Sequence, residues 1–441
     1  MSNTEHTTSS NDIHIDLTNF RQTVHSMAGN YAKNRMGIPE CLGYPHVMDE
    51  MGAILLDKLN PNTARVGIPF NVWEEEPGVF NKNGYVTNTF LLMQMLAARS
   101  ISMTGSIWAI PFWMMENPPE NQSHTELNRI LRPDKYSVFA KSLLAFLVEA
   151  RDKYGVGFDY LSFNEPDWGG YVFLEAEEYA KIVAICGEMF AQHGFTPKWL
   201  VGDTAYLATT HNWRISKELY VPDYMKTILA CPKANPYLGP VAFHNWDYSY
   251  TNANDYEKLY QVAAKYGRDV WCTEANHQGV ESGTHESVLD SWDYIMSLVD
   301  SYYRMLHFAR ANVLQYWQYN ADFPLLNSSD MTPLRRYFVI EAYTFAFPPG
   351  SRVVAVETNN SNINLVGGVC DRRFSAILVN LSESDESVAL RGLPDGGYTW
   401  RSFTEAEPGG VEVPVQASDG FMTLALPARS YHRITGDCRR D

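Results

Sequence analysis

The chain has 441 residues, of which 45% are hydrophobic and 20% charged, and its formal net charge is −16. This composition is typical of a globular protein, and the length suffices for a large barrel with an accessory domain. The negative charge and the lack of a basic stripe argue against nucleic acid as a partner, because phosphate recognition requires clustered Lys and Arg. No stretch approaches the ~20 apolar residues of a membrane span, so no membrane partner is expected.

The start of the chain, MSNTEHTTSSNDIHI, lacks the basic and apolar regions of a signal peptide. We therefore expect a cytoplasmic protein, or a secreted one if a leader was removed, and a disordered stretch over residues 1–10. The six cysteines form no CxxC pair and no Cys/His cluster with metal-ligand spacing. Cys186 and Cys272 lie in apolar segments and are predicted to be buried free thiols.

Between residues 23 and 349, short strand-like runs alternate with longer segments of helical periodicity. The predicted strands are 23–30, 63–71, 102–111, 158–166, 198–206, 241–246, 269–276 and 312–320. The predicted helices are 47–59, 87–99, 134–154, 174–193, 218–230, 255–266, 287–309 and 333–346. Eight alternations predict an α/β fold, a (β/α)8 TIM barrel. A doubly wound open sheet is the main alternative, although no early strand is followed by a GxGxxG turn.

Beyond Pro348-Pro349-Gly350, the pattern changes to short alternating runs separated by Gly, Asn, Asp and Pro. Such runs predict a C-terminal antiparallel β-sandwich domain over residues 350–441. The early run DIHIDL also alternates, so residues 11–22 are predicted to add a strand to this domain. Trp400 is its one evident candidate for a carbohydrate platform, and bracing the barrel is the expected task of the domain.

Two glutamates end predicted barrel strands. Glu165 follows the fourth strand within Asn164-Glu165-Pro166, where proline stops the sheet ladder, and Glu274 ends the seventh strand. Side chains at the carboxyl ends of barrel strands converge on one face, so the two carboxylates are expected to face each other across the barrel mouth.

Facing carboxylates are the arrangement that glycoside hydrolysis requires, with one as acid and the other as nucleophile. We assign Glu165 as the acid/base, because its neighbours Phe163, Pro166 and Trp168 could desolvate it and raise its pKa. Glu274 is the predicted nucleophile and must stay ionised, for which Arg65 and His244 are the expected hydrogen-bond donors.

These motifs resemble the large clan of retaining (β/α)8 glycoside hydrolases with Asn-Glu-Pro at the fourth strand end. Within it, SIWAIPFWMMEN (106–117), AFHNW (242–246) and the β-rich C-terminus entered through FAFPPGSRVV (345–354) are most similar to glycoside hydrolase family 30. The resemblance implies that Asn164 binds the sugar 2-hydroxyl and that Trp317 forms the pocket floor. It also implies that Trp108 and Trp113 wall the pocket, while Trp168 and Trp246 line its mouth.

Each of these residues also has a purely structural interpretation. Arg65 could serve only as an ion-pair partner inside the barrel, His244 as a core histidine, and the tryptophans as core residues. Asp203, at the fifth strand end, could either touch substrate or cap the following loop. The loop carboxylates outside strand ends are predicted to be solvated; these are Glu74, Glu75, Glu76, Glu116 and Glu281. Three further loop residues, His277, His285 and Glu286, are spaced too irregularly to predict a metal site.

The sequence therefore predicts a retaining β-glycoside hydrolase that cleaves β-linked saccharides through a covalent intermediate, with no cofactor and no metal. The expected partner is a carbohydrate substrate, and the missing secretion signal favours exo action on small saccharides. A non-catalytic carbohydrate-binding barrel and a transglycosylase using the same residues are the alternatives. The sugar, the linkage and the oligomeric state stay open.

Overall fold

The computed structural model describes residues 11–31, 45–82, 84–116, 129–168, 172–212, 217–246, 250–276, 286–319 and 323–438. The predictions for residues 1–10, His277, Glu281 and His285 lie outside this part of the chain. Two compact units are present: one comprises Met1–Met27, Gly279–Asn312 and Thr332–Asp441, and the other comprises Ala28–Gln278 and Val313–Met331. The domain boundaries inferred from the sequence stay a prediction.

The strands and helices below are numbered in chain order. The strands of the first three quarters of the chain are β1 (Asp12–Val24), β2 (Ser26–Tyr31), β3 (Thr63–Ile68), β4 (Ser102–Ile107), β5 (Arg129–Ile130), β6 (Tyr160–Phe163), β7 (Val172–Phe173), β8 (Lys198–Thr204), β9 (Thr209–Asn212), β10 (Lys217–Tyr220), β11 (Leu238–His244), β12 (Val270–Ala275) and β13 (Val313–Tyr316). The remaining strands are β14 (Ser351–Thr358), β15 (Ile363–Cys370), β16 (Arg373–Asn380), β17 (Glu386–Arg391), β18 (Gly396–Phe403), β19 (Val411–Ala417), β20 (Phe421–Leu426) and β21 (Ser430–Asp437). The α-helices are α1 (Pro45–Leu59), α2 (Phe70–Trp73), α3 (Gly84–Ala97), α4 (Tyr136–Tyr154), α5 (Ala176–Gln192), α6 (Val221–Leu229), α7 (Ala253–Lys265), α8 (Glu286–Leu289), α9 (Trp292–His307) and α10 (Arg335–Ala346). No helix in the described ranges has both the length and the apolar character needed to cross a membrane.

Eight strands close into a parallel barrel in the order β2-β3-β4-β6-β8-β11-β12-β13, which confirms the predicted fold class. These strands read as short apolar runs because parallel barrel strands are buried on both faces; every residue of β12, for example, is buried. Helical periodicity also predicts the intervening helices. In α5, the stripe that includes Tyr179, Ile182 and Cys186 is buried, and Gly194 follows the helix with a φ of 79°.

A second, β-rich domain is confirmed as well, and it consists of one nine-stranded sheet in the order β19-β18-β21-β16-β15-β14-β1-β17-β20. Every strand contributes side chains to one shared apolar core, so the sheet curls around that core. The pairing is antiparallel except between β1 and β17, where Ile13 lies opposite Leu390 in a parallel register. The strands of residues 350–441 thus pair antiparallel with one another, as predicted, and the parallel pair involves the strand that the N-terminal run adds.

Trp400 is not exposed as a sugar platform. Its side chain is 6% exposed and stacks on the ring of His432 with centroids 4.3 Å apart. It is a core residue of the nine-stranded sheet. Cys186 and Cys272 are buried free thiols, as predicted.

Candidate active site

Five barrel strands deliver charged or hydrogen-bonding side chains to one buried cluster at the carboxyl end of the barrel. The contributing residues are Arg65 on β3, Asn164 and Glu165 directly after β6, Asp203 on β8, His244 at the end of β11 and Glu274 on β12. In a parallel barrel all strands end at the same face, so residues far apart in sequence meet there. Every one of these side chains is buried.

Glu165 and Glu274 face each other across this cluster. Nδ1 of His244 lies 2.9 Å from Oε1 of Glu165 and 3.4 Å from Oε2 of Glu274. One carboxylate oxygen of each glutamate and a ring nitrogen of His244 all lie within 4.8 Å of one another. The two glutamates are only 8% and 2% exposed. The structure therefore brings the two predicted carboxylates together.

Glu165 has the properties of a group that can hold a proton near neutral pH. Burial raises its pKa to about 7, and the negative charges of Glu274 and Asp167 act in the same direction, while His244 opposes them. Its backbone has a φ of 48°, which is uncommon for a residue with a side chain. The strained conformation is held by a 3.0 Å hydrogen bond from its N–H to the carbonyl of Asp203.

The predicted flanking group for Glu165 is only partly correct. The ring of Phe163 packs against Phe139, Tyr179 and Trp199, away from the carboxyl group. Successive strand residues point to opposite faces, so Phe163 points away from the cluster that the next side chain, Asn164, enters. Glu165 lies beyond the strand and has a positive φ, so this alternation does not extend to it. Desolvation of Glu165 comes from its position inside the barrel mouth rather than from Phe163.

Glu274 is held through both carboxylate oxygens. Nη1 of Arg65 donates to Oε1 at 2.7 Å, and Nε1 of Trp246 donates to Oε2 at 2.9 Å. Two donors and a buried cation stabilise the charged form of a carboxylate and fix its orientation. Arg65 is thus a direct donor, as expected, whereas His244 lies closer to Glu165 than to Glu274.

Arg65 is the centre of the network. Its guanidinium also donates to the side-chain oxygens of Asn30 at 3.1 Å, Asn164 at 2.6 Å and Asp203 at 2.8 Å. Burial would lower the pKa of Arg65, but the charges of Asp203 and Glu274 outweigh it and raise the pKa. A planar guanidinium with several donors suits this role of holding separate strand ends at fixed distances.

The acidic groups around His244 favour its protonated form. Burial alone would lower its pKa, but Glu274, Asp203 and Glu165 outweigh burial and raise the pKa to about 10. Asp203 has a pKa below its ordinary value, because Arg65, His244 and the hydroxyl of Thr273 overcome the effect of burial. Arg65 and His244 are therefore the two groups of the cluster whose positive charge the surrounding acids favour.

The side-chain amide nitrogen of Asn164 is a buried hydrogen-bond donor. Its Oδ1 accepts from Arg65, while Nδ2 is buried and has no hydrogen-bond partner among the described residues. A buried amide N–H without a partner carries an energetic cost that an incoming acceptor would relieve. This geometry suits the expectation that Asn164 binds a substrate hydroxyl.

Three of the five predicted tryptophans meet in an aromatic cluster beside the carboxylates. The rings of Trp108 and Trp317 are 5.3 Å apart, the guanidinium of Arg65 lies 5.7 Å from the Trp108 ring, and Trp246 packs 5.6 Å from Phe323. Trp108, Trp317, Trp246 and Phe323 form one apolar group. Among the described residues, Trp113 and Trp168 are outside it, and Nε1 of Trp113 donates instead to the carbonyl of Glu74 at 2.8 Å.

Several participants were not among the predicted site residues. Asn30 at the end of the first barrel strand donates to the carbonyls of Thr273, Gln315 and Tyr316. Asp167 is buried, accepts from the N–H of Ala205, and has a pKa that burial raises to about 6. Asp203, for which the sequence leaves substrate contact and loop capping open, accepts from Arg65 within the cluster. For Asn30, its place at the end of a predicted strand is the sequence signal.

The predicted solvated loop acids are mostly exposed, with one exception. Glu75, Glu76 and Glu116 are exposed, but Glu74 is only 5% exposed and accepts from the N–H of Gly78 at 2.7 Å. The prediction is wrong for Glu74 because its carboxylate closes a turn instead of facing solvent.

Glu165, His244 and Glu274 are close enough together to share a cation. A cation is already present beside them, however, because the guanidinium of Arg65 pairs with Glu274 at 2.7 Å. The raised pKa of His244 also favours protons on both of its ring nitrogens near neutral pH. A metal ligand must present a lone pair, so we do not assign these residues as metal ligands.

No family model matches the sequence, and no curated protein is similar to it. Solved structures are similar in fold. An endoxylanase of glycoside hydrolase family 30 from Clostridium papyrosolvens C71 covers 97% of this chain and 100% of its own, with 18% identity and a TM-score of 0.72. A xylanase of subfamily 8 of the same family from Clostridium acetobutylicum covers the same shares with 17% identity and a TM-score of 0.75. A monomeric β-xylosidase from Caulobacter crescentus CB15 covers 98% and 100%, with 14% identity and a TM-score of 0.64. The chain thus has the fold of family 30 glycoside hydrolases, as the sequence resemblance implied.

Proposed function

We propose that the protein is a retaining β-glycoside hydrolase that cleaves β-linked saccharides by double displacement. The observation that carries this proposal is the approach of the two glutamates, whose nearest oxygens are no more than 4.8 Å apart. Retaining enzymes hold their carboxyl groups ~5–5.5 Å apart, whereas inverting enzymes leave ~6.5–9.5 Å for a water molecule. The fold shared with a family 30 endoxylanase and a β-xylosidase supports the same reaction class.

In the first step, Glu274 attacks the anomeric carbon and forms a bond to it. The bond from this carbon to the leaving oxygen breaks, and the proton of Glu165 passes to that oxygen. The geometry supports these roles, because Glu274 is held between two donors while Glu165 has a pKa of about 7. Asn164 presents its unpaired Nδ2 to the sugar 2-hydroxyl in this step.

In the second step, Glu165 acts as a base and takes a proton from water. The water oxygen bonds to the anomeric carbon as the bond to Glu274 breaks, which restores both glutamates to their starting forms. Arg65 and Trp246 stabilise the carboxylate that leaves, since both donate to its oxygens. Retention of configuration follows from the two inversions.

We propose exo action on small saccharides. Glu165 and Glu274 are nearly buried beside the group of Trp108, Trp317, Trp246 and Phe323. Such a recessed pair suits the terminal sugar of a chain, since flat aromatic faces bind the apolar faces of sugar rings. Cleavage of oligosaccharides labelled at the reducing end should release single sugars, and a mixture of internal fragments would show endo action.

The test of the reaction is a panel of aryl β-glycosides followed by trapping. We expect at least one glycoside to be hydrolysed, and its 2-fluoro analogue to add one sugar mass to a peptide that contains Glu274. The Glu274→Ala variant should show neither turnover nor adduct. Binding of sugars without turnover would instead support a non-catalytic barrel, and sugar–sugar products at high substrate would support a transglycosylase.

A further inference from the structure

Asp203 occupies a position that the double-displacement steps above do not explain. It lies on β8, is fully buried, and has a φ of 53°, in the left-handed region that residues with side chains avoid. Its backbone carbonyl accepts the N–H of Glu165, whose own φ is also positive. Two strained residues on neighbouring strands are therefore joined directly.

The side chain of Asp203 contacts three other strands. Oδ2 accepts from Nη2 of Arg65 at 2.8 Å, and Oδ1 accepts from the hydroxyl of Thr273. Oδ1 also lies 3.5 Å from Nε2 of His244, the ring nitrogen opposite the one that faces Glu165. Among the described residues, Nε2 of His244 has no shorter hydrogen bond, so Asp203 is the acid that faces this nitrogen.

The charges of the cluster balance when its three carboxylates share one proton. Arg65 and a protonated His244 carry two positive charges, and Asp203 and Glu274 carry two negative charges. The buried cluster is therefore neutral when Glu165 holds its proton, which is the form that an acid catalyst requires. Uncompensated charge is costly in a buried site, so removing the Asp203 charge should disturb this state.

We propose that Asp203 is a positioning residue that keeps the His244 ring charged and directs its Nδ1 proton toward Glu165. A ring with protons on both nitrogens can donate to Asp203 on one side and to Glu165 on the other, so its plane is fixed by two acids. Glu165 is thereby held in the orientation for donating its proton to a leaving group. This last link rests on the proposed function, whereas the link to His244 does not.

Other titratable groups lie near Asp203 and His244, and their charges also affect the pKa of His244. Glu165 and Asp167 follow β6, Arg65 lies on β3, and Glu274 lies on β12. From the helical layer, Tyr179 of α5 is influenced by the Asp203 charge. Of these, Asp167 offers the matched control, because it is a buried aspartate near Glu165 whose carboxylate contacts Ala205 and Thr210.

The experiment is a titration of His244 by NMR in protein labelled with ¹⁵N-histidine, with His244→Gln used to assign the signal. In the wild type, both ring nitrogens should carry protons at pH 8, and the midpoint should lie near pH 10. In Asp203→Asn, the midpoint should fall by at least about one pH unit, because an opposite charge at this range shifts a pKa by ~1–3 units. Asp167→Asn should move it by less than half as much.

A neutral His244 in the wild type at pH 8, or an unchanged midpoint in Asp203→Asn, would overturn the proposal. The wild-type measurement decides it even if the variant does not fold. Activity tests the link to Glu165: Asp203→Asn should lose at least tenfold more kcat/KM on a glycoside with a poor leaving group than on one with an activated aryl group. Equal losses on both would show a merely structural role. If no glycoside is hydrolysed, the proposed function fails, while the His244 titration still decides the role of Asp203.

Discussion

Glu165 is nearly buried, has a positive φ, and has a pKa raised to about 7 by burial and by its acidic neighbours. Positive φ and buried charge both destabilise a fold, by roughly 1–3 kcal/mol for the backbone alone. Their coincidence at one residue is typical of functional sites, where strain and perturbed pKa values are retained for chemistry. The neighbouring contacts to Asp203 and His244 explain how the conformation persists.

The raised pKa of Glu165 predicts that activity falls as the pH rises. Below about pH 7 the carboxyl group is protonated and can act as an acid; above it, the proton is lost. We expect kcat/KM for a glycoside with a poor leaving group to fall above about pH 7, approaching tenfold per pH unit. Measured pH profiles should lose this alkaline fall in Glu165→Gln, whose side chain does not titrate. A fall that persists unchanged in Glu165→Gln would assign it to another group.

Leaving-group chemistry separates the two glutamates. Glu165→Ala should slow hydrolysis most for leaving groups that need protonation, and least for activated aryl groups, since the latter depart without an acid. Glu274→Ala should abolish turnover of every glycoside, because no covalent intermediate forms. Steady-state rates over a series of aryl glycosides provide the measurement. Uniform losses across the series in Glu165→Ala would contradict its role as the acid.

Among the secondary-structure elements, strand β2 contacts both its barrel neighbours and the charged cluster. Asn30 on this strand holds β12 and β13 through their carbonyls and also accepts from Arg65. The preceding residue, Gly29, lies directly against Tyr319, and a Cβ there would be 2.5 Å from the ring. Glycine is therefore required for the close approach that lets β2 complete the ring.

We expect Gly29→Ala to destabilise the protein by about 1–3 kcal/mol, because the added methyl group forces the Tyr319 ring and the strand apart. Gly84→Ala is the matched control: a Cβ at Gly84 meets no atom within 4 Å, and the residue begins α3. That change should be neutral or slightly stabilising, since alanine loses less entropy on folding. Urea unfolding of both variants makes the comparison. If Gly29→Ala and Gly84→Ala were equally stable, the Tyr319 ring would have to move aside at no cost.

At the scale of the whole molecule, charge predicts solution behaviour. The net charge of −16 gives a sequence isoelectric point near 5.2. Repulsion between like-charged molecules keeps proteins dispersed and vanishes at this pH. Light scattering at low salt should therefore show minimum solubility near pH 5.2, with recovery toward pH 8. A minimum near neutral pH would show that the charge is compensated in solution.

Much of the fold could be predicted because periodicity is local. Buried parallel strands read as apolar runs, and helices such as α5 read as stripes with a glycine behind them. The parallel pairing of β1 with β17 could not be predicted, since the two strands lie more than 360 residues apart and register is a tertiary property. Local pattern was also insufficient for Glu74, whose burial depends on the turn that it closes.

The amino-acid sequence is sufficient to predict the barrel, the β-rich second domain and the two candidate carboxylates, because strand period, strand number and the position of proline are local features. The groups that surround those carboxylates are known only from the folded chain. Arg65 binds four side chains from four other strands, and His244 lies between Glu165 and Asp203. Such contacts depend on where strands end in space and on which charges are buried together, and no local pattern encodes either.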